Sequence, residues 1–204
     1  MCCGKVGQGA RLEAIRCPMV AAIAVPHSRS QAQFSPCGSY RWMLERRWDQ
    51  LRPRLLFIGL NPSRADAERD DPTLRRLIGF ARAWGFGSLE VVNLFGRCSA
   101  SPAVLRRCSD PIGPENDHWL KQGLARLQPK AGDALWLGWG NGGVWRQRDQ
   151  QVLELLAQEA PLDLRLWTIG LTASGQPRHP LYAPAAAQPL PLQHPGAALR
   201  LTSC

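Results

Sequence analysis

Residues 55–76 read LLFIGLNPSRADAERDDPTLRR. An apolar run from Leu55 to Leu60, broken only by Gly59, stops on Asn61-Pro62-Ser63. The run is too short for a helix and has the length of a buried strand. Pro62 has no backbone N–H to offer a ladder, so the strand ends there. A loop of mixed charge leads to Asp71-Pro72. Aspartate caps helices and proline suits the first helical position, so a helix is expected from Pro72. Leu74, Leu77, Ile78, Ala81 and Trp84 fall on one face of it, and Gly85-Phe86-Gly87 stops it. Strand, loop and helix in this order form half of a parallel α/β unit.

Working outward, the unit repeats. A strand is expected over Leu89–Leu94, then a short helix near Pro102–Arg107. DPIGPEND (residues 110–117) opens a helix carrying Trp119, Leu120, Leu124 and Leu127. A strand over Asp133–Trp139 ends in Gly140-Asn141-Gly142-Gly143. A helix over Val144–Ala157 and a strand over Leu164–Ile169 complete the alternation. Such alternation implies an α/β fold: three αβα layers around a central, mostly parallel four-stranded sheet. Upstream, YRWMLERRWD (residues 40–49) reads as one or two helical turns anchored by Trp42 and Trp48. The expected organisation is a poorly ordered leader over residues 1–39, a single α/β domain over 40–192, and a tail over 193–204.

The 204 residues suit one domain with a real core. A formal net charge of +9, supplied mostly by arginine, favours a polyanionic partner, DNA or a nucleotide. The seven cysteines are odd in number and contain no CxxC, which argues against a disulfide framework and against a zinc or iron–sulfur site. A reducing cytoplasm is the simple reading. No apolar run reaches the roughly 20 residues of a membrane helix, and MVAAIAV (residues 19–25) is short for a signal peptide. A cytoplasmic monomer without membrane partner, metal or cofactor is expected.

In parallel sheets, ligands bind beyond the carboxyl ends of the strands. The residues there are Asn61-Pro62-Ser63, Asn93-Leu94-Phe95, Trp139-Gly140-Asn141, and the loop Arg178-His179-Pro180-Leu181-Tyr182. Asn61-Pro62 also suits a plain turn. Asn93 is harder to read that way: an amide at the end of an apolar strand needs partners, and it can donate and accept at once, which suits a nucleobase edge. His179 sits in a polar loop, whereas His118 falls on a helix surface and His27 and His194 in the terminal segments. Asp66 is the carboxylate after Asn61 that could activate water, while Asp71 reads as a cap. The glycine-rich loop after Trp139 lacks the Lys and Ser/Thr of a phosphate loop.

The segments NPSRADAERDDPTLRR, VVNLF, DPIGPEND, WG and PRHPLY together resemble the domain-of-unknown-function 1643 family over about Tyr40 to Leu192. At greater distance, four motifs in order resemble the uracil-DNA glycosylase superfamily. GLNPS is similar to a Gly-x-Asn-Pro motif, VVNLF to the strand ending in the base-reading Asn, LGWG to a Leu-Trp-Gly strand, and RHPLY to a His-Pro-Ser motif. This second resemblance implies a flipped nucleotide in the pocket. Asn61 would position water, Asn93 would bind the base, and His179 would stabilise charge on the departing base. Leu181 would act as a wedge. Leu181 stands where Ser is expected, and the Asp-Pro-Tyr-His water-activating motif of the founding branch is absent. A non-catalytic nucleic-acid binder, and an enzyme of free nucleosides or modified bases, are the alternatives from other classes.

Overall fold

The computed structural model describes residues 29–193. Residues 1–28 of the expected leader and 194–204 of the expected tail lie outside the described residues. The opening stretch forms a strand–loop–helix unit, as its pattern predicts: β3 (Arg54–Gly59, numbered in chain order) and α1 (Pro72–Ala83). Asp71 caps α1, its Oδ1 accepting the Leu74 N–H at 2.7 Å. The other expected strands are β4 (Ser88–Asn93), β5 (Ala134–Leu137) and β6 (Arg165–Thr168). They flank β3 in the order β4-β3-β5-β6, all parallel.

The sheet is larger than four strands. Its seven strands run β1-β2-β4-β3-β5-β6-β7, and the added ones pair antiparallel. β1 is Arg29–Phe34, β2 Arg41–Arg47 and β7 Leu190–Pro191. The sheet therefore begins ahead of Tyr40, inside the segment expected to be a leader. The expected helix at residues 40–49 is instead β2, buried between β1 and β4. Charges that resemble a solvated helix face are held by ion pairs: Arg46 with Asp70 at 2.8 Å, and Glu45 with Arg47 and Arg54 at 3.6 Å each. Pairing on both edges overrode the local pattern, as tertiary context does for weak propensities.

Helices cover both faces. On one, α1 presents Leu74, Leu77, Ile78, Phe80 and Ala81 to Leu55, Phe57, Leu89, Val91 and Trp136. The other carries α2 (Pro102–Leu105), α3 (Asn116–Ala125) and α4 (Arg148–Glu159), whose Leu105, Leu120, Leu124, Val152 and Leu156 meet Leu56, Ile58, Val92, Leu135 and Leu137. The alternation of side chains along each strand sends successive residues to opposite cores. α4 starts later than its expected Val144, because Arg146 and Gln147 take left-handed backbone (φ 58° and 55°) and break the helix. A 3-10 stretch, Gly140–Gln147, occupies that place.

At the amino ends of the parallel strands the buried charge is saturated. Glu90 on β4 ion-pairs with Arg54 at 3.2 Å and with Arg126. Asp133 accepts the backbone N–H groups of Arg54 at 2.7 Å and Gln128 at 2.9 Å. The carboxyl ends are different.

Candidate functional site

The chain leaves β3 toward β4 on one side and, after α3, enters β5 on the other. This reversal opens a crevice at the carboxyl ends of the strands, the position where open α/β sheets bind ligands. A cavity of about 540 Å³ lies there, within the range of small-molecule sites. It brings together Asn61, Ser63, Asn93, Trp139, Gly140, Asn141, His179, Leu181 and Tyr182 of the expected set.

Asn61 follows β3, where Pro62 turns the chain. Its Nδ2 donates to the carbonyls of Pro62 at 2.9 Å and Ser99 at 3.0 Å. These bonds fix the amide, and among the described residues no donor reaches its Oδ1. The group it offers the cavity is therefore an acceptor, suited to a water or a ligand donor. Asn93 ends β4 with 3% of its surface exposed, and its Nδ2 has no partner among the described residues. Gly59 makes room for it: a Cβ there would lie 2.9 Å from Asn93 Oδ1 and 2.9 Å from the Phe57 ring. A buried donor with no acceptor is costly unless something else supplies one.

His179 opens a short 3-10 turn (Pro180–Tyr182), and its Nδ1 accepts the Leu181 N–H at 3.3 Å. Burial lowers its pKa, so the ring is neutral at pH 7. With Nδ1 as acceptor, the proton sits on Nε2, which is then a neutral donor. Arg76 on α1 holds this loop by donating to the Pro180 carbonyl at 2.7 Å and to that of Ala183. Leu181 and Tyr182 stand at the rim, 42% and 84% exposed. Trp139 is buried, its Nε1 donating to Gln176 Oε1 at 2.6 Å. The glycines after it serve packing: a Cβ on Gly143 would lie 2.3 Å from the indole.

Other expected site residues lie outside the cavity lining. Asp66 holds a turn, its Oδ1 accepting the N–H groups of Glu68 at 2.8 Å and Arg69 at 2.7 Å. These bonds lower its pKa, which opposes a role as a base. Phe95 is fully buried against Trp145 in the core below. Pro62 and Pro180 shape the backbone, and Arg178 reaches to the Leu171 carbonyl at 3.2 Å. The carboxylate in the lining is Asp71, which the sequence offers first as a cap. Arg41, Phe57, Ser99 and Arg106 also line the cavity. Arg41 carries no local signal, because it is brought there by a strand that reads as helix. Among the described residues, no three His, Cys, Asp or Glu side chains are grouped to hold a metal, and no helix is long and apolar enough to cross a membrane.

Fold and site thus define an α/β protein whose cavity, at the carboxyl ends of the parallel strands, joins an apolar wall to a few polar side chains. A family model described as "Protein of unknown function (DUF1643)" matches residues 41–181, and the chain belongs to that family. No curated protein and no solved structure matches the chain.

Proposed function

We propose that this protein is an N-glycosidase that takes one nucleoside unit into the strand-edge cavity and hydrolyses its bond to the base. The observation that carries this reading is the convergence of Asn61, Asn93 and His179 on one cavity from three separate parts of the chain. In the reaction, the C1′–N bond breaks and its electron pair leaves with the base. Water oxygen bonds to C1′, one water proton ends on the base, and the other stays on the new hydroxyl. Asn61 Oδ1 orients the water. Asn93 donates to an acceptor on the base, and His179, neutral and protonated on Nε2, donates to charge building there. The uracil-DNA-glycosylase-like motif order supports the same assignment.

The net charge of +9 favours a nucleotide swung out of DNA as the substrate. The test is release of free base and formation of abasic sites on oligonucleotides bearing uracil, mismatched thymine, hypoxanthine or oxidised bases. Cleavage that disappears in Asn61→Ala is the expected result. DNA binding without cleavage of any substrate would replace the reading by a non-catalytic binder. A second reading, an enzyme of free nucleotides, is favoured by one observation: the buried guanidinium of Arg41 in the cavity wall.

A further inference from the structure

Arg41 is 4% exposed and lines the cavity. Its Nη1 donates to the Ala65 carbonyl at 2.8 Å, while its Nε has no partner. The other buried arginines among the described residues are matched with carboxylates: Arg46 with Asp70, and Arg148 with Asp117. Among the described residues, no carboxylate lies within ion-pair distance of Arg41.

The backbone places Arg41 there by a specific irregularity. Gln33 pairs with Met43 and Phe34 with Arg41, so Trp42 is an extra residue in β2. A bulge of this kind re-aims the side chains beside it. Met43 packs into the core under α3 and α4, and Trp42 lies against Gly96 and Gly113. Arg41 turns to the opposite face, toward Ala65 and the cavity it shares with Phe57, Leu74, Leu77 and Val91. A strand beyond an apolar neighbour would have supported a leucine at this position without the desolvation cost of a cation. Burial lowers the Arg41 pKa to about 10, with Cys98 and then Asp71 opposing the shift, and the side chain is still charged at pH 7. A water can satisfy a lone donor, but it does not neutralise a charge.

We propose that Arg41 forms a subsite for a compact terminal oxyanion, a phosphate monoester in the first place, carried by the ligand of this cavity. With Nη1 occupied and Nε sealed from solvent, Nη2 is the guanidinium nitrogen left to meet the oxyanion. Because Arg41 is nearly closed from solvent, the oxyanion must end the ligand. A phosphodiester inside a polynucleotide continues on both sides and does not fit such a floor. The subsite therefore points to a free nucleoside monophosphate, the second reading above, and a carboxylate shares the same recognition chemistry.

The test is calorimetric binding to the full chain of nucleoside 5′-monophosphates, the matching nucleosides, inorganic phosphate and acetate at constant ionic strength. Monophosphates are expected to bind at least tenfold tighter than their nucleosides, with inorganic phosphate competing. Arg41→Met should remove that tenfold preference while leaving the melting temperature equal or higher, since a buried unpaired charge is gone. Competition by acetate instead of phosphate keeps the oxyanion subsite and assigns it to a carboxylate ligand. Equal affinity for monophosphate and nucleoside, or an Arg41→Met variant that binds like the wild type, overturns the proposal. If Arg41→Met does not fold, phosphate against chloride in the thermal melt of the wild type decides: no phosphate-specific rise overturns it. Binding without base release would end the glycosidase reading alone, because the subsite is read from affinity and not from turnover.

Discussion

The two ends of the sheet's parallel strands both bury polar groups, and they treat them differently. At the amino end, Glu90 is answered by Arg54 and Arg126, and Asp133 by two backbone donors. At the carboxyl end, Asn93 Nδ2 and Arg41 Nε have no acceptor, and Asn61 Oδ1 has no donor among the described residues. Saturated charge ties strands and helices together. Unsatisfied groups on residues that line a cavity leave polar capacity for something that enters it. Burial alone does not separate these cases, since Glu90 at 5% and Arg41 at 4% exposure are equally hidden.

The contrast can be broken by substitutions that read the two ends separately. The largest effect is expected at the cavity. Measured as base release per enzyme, His179→Ala should lower kcat by about 10² to 10³, the loss typical of one charge-stabilising donor, with little change in melting temperature. At the other end, Glu90→Gln should leave ligand binding intact but destabilise the fold by about 2 kcal/mol in urea unfolding, because the partly exposed Arg54 and Arg126 lose a charged hydrogen-bond partner. A reversal of these two outcomes would sink the division between the ends.

Smaller effects sharpen it. Asp71 belongs to both worlds, as cap of α1 and as part of the lining. Asp71→Ala should cost about 1 kcal/mol of stability as a lost cap, and any loss of ligand affinity beyond that marks its second role. The pH dependence follows from His179, whose folded pKa lies below its unfolded value of 6.5. The unfolded chain binds the proton more readily, so its contribution to stability is complete above pH 6.5 and declines as pH falls below it. The acid limb of activity should lie below pH 6.5 and move or vanish in His179→Gln. Asp66→Asn, least of all, should slightly loosen its turn and leave turnover unchanged. A lost activity there would restore Asp66 as a working carboxylate.

Much of this was readable before the fold. The unit from Leu55 to Ala83 announced itself through an apolar run, Asn-Pro, and Asp-Pro at a helix start. The four parallel strands and the loop of His179 followed from the same logic, and so did the edge on which Asn61, Asn93 and Trp139 gather. The misreadings have one cause. β2 looked helical because Glu45, Arg46 and Arg47 resemble a solvated face, whereas their partners come from distant parts of the chain. Phe95 looked like a lining residue because it follows Asn93 so closely, but it lies beyond the end of β4, where the strand's alternation has stopped, and its ring packs into the core against Trp145. Asp71 caps α1 as expected, yet it and not Asp66 reaches the cavity lining, because a loop's path cannot be read from its charges.

By itself, then, the sequence determined which segments become strands and helices in the central unit, where each ends, and which polar residues lie at those ends. Local pattern carries that information because period, capping and proline act within a few residues. Only the tertiary structure decided which end groups are left unpaired. An unsatisfied donor is a property of everything around it. Arg41 enters the cavity through a bulge set by pairing with β1, and no pattern within β2 encodes that register.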